Sequence, residues 1–345
     1  MGQLIKRKVA EVKETVESHT DNDLTFVTRK VSVDSVVSTG STLLDLAISG
    51  KRREGGGLPG GILVEIFGPS GSGKTALMAE ILASIQSKGG ESKIQDPEAR
   101  LDKEYARIYE MEIPEEIYSR PDTVEDMIRE VQNWDTPIVP GLIHGIGTDS
   151  LAALSTELEM AKGDKMGMKR AKEFSAGFRK TCRQITKNNW LWICTNQVRQ
   201  GEYGEVTPGG NATAFYASLR IRVRQVDMIE KEVTLGSGVK VKKAIGIEST
   251  CYVKKSSIDD PYREAPVYII FGYGIDDIRA NLQWLKDMKK ATTYQCPDGK
   301  TYQSLNMAIQ YIEKNSLQES LREEVIHLWE EIESKFNLDR PKKVR

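Results

Sequence analysis

The chain has 345 residues, 39% hydrophobic and 29% charged, and its 49 Lys and Arg against 50 Asp and Glu leave a formal charge of -1 and a pI near 6.4. That size allows at least one large core and predicts two or three structural units, while the charge balance gives no global signature of nucleic-acid binding, which would have to come from local clusters. The four cysteines show no C-x-x-C spacing and the three histidines lie far apart, which argues against a zinc site and a disulfide framework.

Residues 3–18 place Ile5, Val9, Val12 and Val16 at helical spacing, and TDND at 20–23 breaks the pattern. Residues 1–30 are therefore expected to be a short helix and an arm, packed on its own domain or docked on another protomer. The opening stretch does not resemble a signal peptide, and no apolar run reaches bilayer length. The expectation is a cytoplasmic protein with no membrane partner.

Residues 31–283 alternate apolar strands with amphipathic stretches: GILVEIFG at 61–68, LIHGIGTD at 142–149, WLWICTNQ at 190–197, then RIRVRQV and PVYIIFG. Strands separated by helices predict an α/β domain with a mainly parallel central sheet covered on both faces; the later strands lie closer together and suit antiparallel pairing. Residues 284–345 form a smaller α/β unit. In it TYQCPDGKTYQS predicts a hairpin, and Leu317, Leu321, Val325, Leu328, Ile332 and Phe336 predict a helix. The closing RPKKVR is a solvated basic end or a contact for nucleic acid.

The chemistry begins at GPSGSGKT, which satisfies G-x-x-x-x-G-K-[ST] between an apolar strand and the helix-like ALMAEILASIQS. Gly68, Pro69, Ser70, Gly71, Ser72 and Gly73 make a loop whose backbone N–H groups can curl around phosphates. Lys74 then reaches the β and γ oxygens, Thr75 holds Mg2+, and the helix N-terminus faces the negative charge. Such a site binds a nucleoside triphosphate. Hydrolysis also needs a carboxylate for the magnesium shell and a group that orients water. Asp149, at the end of LIHGIGTD, suits the first task, or else simply caps the next helix. Glu98, in QDPEARLD, suits the second, or else belongs to a surface acidic cluster.

Six segments then carry a resemblance: STGSTLLDLAIS at 38–49, GGLPGGILVEIFGPSGSGKTAL at 56–77, DPEARLDKEYAR at 96–107, TDSLAAL at 148–154, TNQVR at 195–199 and PGGNATAFYASLRIRVR at 208–224. In order and approximate spacing they resemble the signatures of the bacterial RecA recombinase family, over about residues 31–280. The resemblance implies a RecA-like P-loop NTPase core that uses ATP and Mg2+, polymerises into a helical filament on single-stranded DNA, and pairs it with double-stranded DNA in recombination and repair.

By the same resemblance Glu98 is the water-activating glutamate, and Asp102 and Tyr105 meet the adenine. Phe271 stands where the family usually has a tyrosine near the base, and Gln197 senses the γ-phosphate. The loop after Gln197, which has no apolar periodicity of its own, is implied to touch DNA through Arg199, Gly209, Gly210 and Asn211. A first DNA loop, ELEMAKGDKMG, carries Met166 and Gly167, with Arg170 and Arg179 on the following helix. On charge pattern alone those arginines are an ordinary solvated helix face.

The departures from the family pattern are specific. The second loop is shorter than usual, with Glu202, Tyr203 and Glu205 in place of an apolar wedge, and Ala214 replaces a lysine. A lysine pair that reaches the neighbour's γ-phosphate appears as adjacent Lys254 and Lys255. The C-terminal unit lacks the usual acidic tail. These features fit a divergent member of phage or mobile-element type. Two other classes share the P-loop, Asp149 and the glutamate: a ring helicase or branch-migration motor, and an ATP-dependent DNA-binding scaffold without strand exchange.

Overall fold

In a computed structural model, which describes residues 35–101, 103–156, 167–201, 204–337 and 340, the apolar runs assemble into one nine-stranded sheet. Its strands are β1 (Ile62–Gly68), β2 (Ser92–Gln95), β3 (Tyr118–Ser119), β4 (His144–Thr148), β5 (Trp190–Gln197), β6 (Leu219–Thr234), β7 (Lys240–Ser256), β8 (Glu264–Ile270) and β9 (Gly274–Ile275). They lie in the order β9-β8-β7-β6-β1-β5-β4-β2-β3. Neighbours from β3 to β6 run parallel, and those from β6 to β9 antiparallel. The change falls where the sequence leaves too little chain between strands for a helical crossover. The expected N-terminal helix, Asp102, Met166 and the basic tail after Arg340 lie outside the described residues.

The central strands read as unbroken apolar runs because both faces are covered. On one face Val64, Ile66 and Ile193 pack with α1 (Thr42–Ser49) and α2 (Lys74–Ser87), through Leu44, Leu77 and Ile81. On the other, Leu63, Trp190 and Trp192 pack with Met127 and Ile128 of α4 (Val124–Gln132), Phe174 and Phe178 of α5 (Gly167–Lys187), and Ala212 of α6 (Asn211–Tyr216). A short α3 (Lys103–Ile108) follows β2. Strand alternation sends successive residues to opposite cores, which is why the strands are mostly apolar on both faces here. The second face of β6–β8 is different: α5 and α6 stop over β1 and β5, and Arg222, Arg224, Tyr252 and Lys254 line an open hollow.

Two features were not anticipated from the sequence. Beyond Ile229 and Gly246, β6 and β7 leave the sheet as a two-stranded arm that turns between Leu235 and Val239, whose backbones bond at 2.8 Å. The boundary expected at residue 283 falls inside α7 (Asp277–Met288), and Leu282 and Leu285 join the same core as the sheet. The C-terminal helices, α8 (Leu305–Lys314) and α9 (Gln318–Lys335), bury Ile312, Leu321 and Val325 in that core as well, whereas Phe336 ends exposed just after α9.

One buried acid gives a stability prediction. Glu80 of α2 sits near Glu110 and Asp277, and burial pushes its carboxyl from 4.5 up to about 7. A carboxyl raised in the folded state stays protonated where the unfolded chain has lost the proton. The contribution of Glu80 to stability is therefore greatest below pH 4.5 and falls as pH climbs toward 7. Glu80→Gln removes that slope. The unfolding free energy at pH 8 should rise by roughly 2–4 kcal/mol and change little at acid pH. Urea unfolding at both pH values measures it, and an unchanged pH 8 value would mean that Glu80 is stabilised as the anion.

Candidate active site

The loop between β1 and α2 is shaped for an anion. Gly71 and Gly73 hold φ of +76° and +94°, which β-branched or bulky residues resist, and a Cβ on Gly73 would stand 2.3 Å from Ile269 Cδ1. Gly73 caps α2 without any side-chain bond, so the first N–H groups of the helix remain available to a ligand. Lys74 is 8% exposed, and its Nζ folds back to donate to the Pro69 carbonyl at 2.7 Å. Burial lowers the Lys74 pKa, against the opposing pull of Asp149 and Glu98.

Strand order brings the other groups to this loop. β5 lies beside β1, with β4 on its far side and β2 next, so residues at their C-terminal ends converge. Thr75 Oγ1 donates to Asp149 Oδ2 at 2.6 Å, and Thr195 Oγ1 donates to the other carboxylate oxygen. Burial raises the Asp149 pKa, and these two hydroxyls lower it. Glu98 Oε1 accepts from Ser150 Oγ at 2.5 Å and from Gln197 Nε2 at 3.2 Å, while Oε2 pairs with Arg100 at 3.1 Å. The result is a cavity of about 670 Å³ lined by the glycine loop, Lys74, Thr75, Asp149, Glu98 and Gln197. Ile108, Tyr109, Ile247 and Ile269 add apolar lining, Ile247 and Ile269 next to Gly73, and Phe271 is 60% exposed. A lining that combines a cation, an anion-binding loop and apolar side chains suits a ligand with both a polyanion and a flat apolar ring. The Tyr105 side chain lies outside the described portion of the chain; Tyr109, four residues on, lines the cavity and was not found by sequence reasoning.

The segment after Gln197 is anchored at both ends. Asn196, fully buried, donates to Glu65 Oε1 at 2.9 Å and to the Pro208 carbonyl at 3.1 Å, and its Oδ1 accepts from the Gln197 N–H at 3.0 Å. Glu65 Oε2 in turn holds Arg220 at 2.5 Å, and the guanidinium lies 4.5 Å over the Phe67 ring. Between these anchors Arg199–Gly201 and Gly204–Val206 pair as a small antiparallel hairpin, with Arg199 exposed. Gly209 and Gly210 sit at positive φ, and a Cβ on Gly209 would come 3.0 Å from the Phe174 ring. Their first duty is thus to turn the chain tightly over α5 into Asn211 and α6. Asn196, Glu65 and Arg220 were not singled out in the sequence, because nothing local marks polar residues on three different strands as partners.

Of the remaining expected residues, Gly167 begins α5, and Arg170 and Arg179 lie along it, Arg179 exposed. Adjacent Lys254 and Lys255 lie in different surroundings. Lys255 Nζ donates to the Ala214 and Phe215 carbonyls at 2.9 Å each, closing the end of α6, whereas Lys254 is exposed on the open sheet face. Among the described residues no group of three or more His, Cys, Asp or Glu is arranged to hold a metal, and no helix is long and apolar enough to cross a membrane.

Comparison with known proteins adds a family. The family model for the RecA N-terminal domain matches residues 12–276. The chain is 38% identical over 253 residues to "Protein RecA" of Rickettsia bellii (strain RML369-C), covering 71% of this chain and 68% of the relative. It is 34% identical over 294 residues to "Protein RecA" of Delftia acidovorans, covering 81% of this chain and 75% of the relative.

Proposed function

Since the chain belongs to the RecA family, we propose that it is a DNA-dependent ATPase that polymerises on single-stranded DNA and pairs it with homologous double-stranded DNA. ATP-dependent recombination and repair of DNA is the activity of the family, and the motor alternative is not favoured. The observation that carries the finer reading is the meeting of Lys74, Thr75, Asp149, Glu98 and Gln197 in one cavity, with Gln197 also the last residue of β5, two residues before the hairpin that begins at Arg199.

The triphosphate of ATP lies on the N-terminus of α2, where unpaired N–H groups receive its oxygens. Lys74 exchanges the Pro69 carbonyl for the β and γ phosphates. The hydroxyl of Thr75 and the carboxylate of Asp149 are hard oxygen donors 2.6 Å apart, a set that suits Mg2+. When bound, that ion neutralises charge developing on the phosphates. Glu98 takes the proton from the attacking water. Gln197 releases Glu98 to bond the γ-phosphate, and through its backbone bond to Asn196 it passes that change to the hairpin. Arg199, Gly209, Gly210 and Asn211 then meet the DNA backbone, with the loop of Met166 and Gly167 and the arginines Arg170 and Arg179 as a second contact.

Electron microscopy of the protein with single-stranded DNA and a slowly hydrolysed ATP analogue tests the assembly. A helical filament is expected. A closed ring would return the chain to the motor class, and neither form would leave a DNA-binding scaffold.

A further inference from the structure

Beside the acids of the nucleotide cavity stands a tyrosine that the site above does not use. Tyr118 of the edge strand β3 pairs with Ile94 of β2, and its hydroxyl donates to Asp96 Oδ2 at 2.7 Å. Residues two apart on a strand share a face, so a ring level with Ile94 reaches Asp96 diagonally. Exposed Arg120 donates through Nε to the same phenol oxygen at 3.0 Å, with its guanidinium 5.3 Å from the ring centroid. A phenol has a single proton to give. With Arg120 on a lone pair of the oxygen, that proton is left for Asp96. Burial raises the Tyr118 pKa, which keeps the group a donor, while the Arg120 bond pulls the other way.

Asp96 is 1% exposed and lines the cavity. Its Oδ2 also accepts from the Leu101 N–H at 2.8 Å, and its carbonyl accepts from the Ala99 N–H at 3.1 Å. The segment from 96 to 101 is thus folded around one carboxylate, with Ala99 at φ of +52°, in the left-handed region that residues other than glycine seldom adopt. Glu98 sits inside this turn. As far as Gln95, β2 is fixed by β4: the Gln95 carbonyl accepts from the Asp149 N–H at 2.9 Å and its Oε1 from Thr148 Oγ1 at 2.8 Å. The strand ends there, so the turn that carries Glu98 to Ser150 and Gln197 depends on how Asp96 is held.

We propose that Tyr118, oriented by Arg120, is a positioning residue for hydrolysis, in the ATPase reading on which this rests: Tyr118 holds Asp96, Asp96 holds the turn from 96 to 101, and the turn sets Glu98 where the attacking water must be deprotonated. Tyr118 is not itself a residue of the cavity lining. The groups that would grip the phosphates, Lys74 and the glycine loop, do not depend on it. Loss of the hydroxyl should therefore slow the chemical step and spare nucleotide affinity, since a displacement on the order of 1 Å at a catalytic group costs up to about 10²-fold in rate.

The test is steady-state ATP hydrolysis on single-stranded DNA by the full chain, with rates expressed per site that binds a fluorescent nucleotide. Tyr118→Phe keeps the ring and removes the hydroxyl; its kcat should fall by about 10- to 10²-fold while KM for ATP stays within about twofold of wild type. Arg120→Ala should show the same split with a smaller loss. Arg120→Lys, which can still donate to the phenol oxygen, should keep most of the rate, and Arg120→Ala should add nothing to Tyr118→Phe. A tyrosine that only stabilises the fold would instead give fewer binding sites, each turning over normally. Wild-type kcat in Tyr118→Phe would overturn the proposal, and so would losses at Tyr118 and Arg120 that multiply in the double variant. If Tyr118→Phe does not fold, the two Arg120 variants decide, and wild-type kcat in Arg120→Ala would overturn it. Failure of the ATPase reading shows separately, as wild-type protein with no DNA-dependent turnover.

Discussion

Lys74→Ala is expected to abolish DNA-dependent ATP turnover and to weaken nucleotide-dependent assembly severely. Lys74 is nearly buried, tethered by its own loop at Pro69, and faces two carboxylates, Asp149 and Glu98. Once Lys74 has exchanged Pro69 for the bound phosphates, it is a nearly buried cation already seated where charge builds on the β and γ oxygens, and removal of one such preorganised group typically slows the chemical step by about 10²–10³. The loss here should be larger. Without Lys74 the acidic wall of Asp96, Glu98 and Asp149 repels the triphosphate, so binding falls along with chemistry. Phosphate release and equilibrium binding of a fluorescent nucleotide, measured on the same preparation, separate the two losses. Turnover at the wild-type rate would remove GPSGSGKT from the catalytic centre.

The glycine loop was legible from sequence because its function depends on local spacing: a strand, eight residues and a helix contain the whole device. Asp149 was legible for a similar reason, as a carboxylate at a strand end. What could not be read was which distant strand ends meet. Glu98 and Gln197 are 99 residues apart, and their bond exists because β5 inserts between β1 and β4. No periodicity in the chain encodes that order. The pair at 254 and 255 shows the converse problem. In the sequence they are one basic motif, yet in an extended strand neighbours point oppositely, so Lys254 reaches the open hollow and Lys255 turns to α6. Gly209 shows a third case: its positive φ and its closeness to Phe174 require glycine before any DNA is considered.

Glu98→Gln is expected to keep ATP binding and filament formation while turnover falls by about 10²–10⁴, the usual contribution of a positioned general base. The amide has the shape of the carboxylate and can still accept from Ser150 and Gln197 through its oxygen. It cannot take a proton from water, and it gives up the ion pair with Arg100. Arg100 is largely exposed, so loss of that pair should affect stability little. The same substitution bears on coupling. If Gln197 leaves Glu98 for the γ-phosphate when ATP binds, the change at Glu98 alters a competing partner rather than the sensor, and ATP should still raise the affinity for single-stranded DNA in the variant. The measurement is a pair of DNA titrations at fixed salt, with and without ATP, beside a phosphate-release assay; salt is fixed because backbone contacts make affinity ionic-strength dependent. Retained ATP-dependent DNA affinity with lost turnover assigns Glu98 to the attacking water. A variant that no longer binds ATP would instead make the carboxylate part of the frame that holds Ser150 and Gln197, and the base for hydrolysis would have to be sought among the other acids of the wall, Asp96 first.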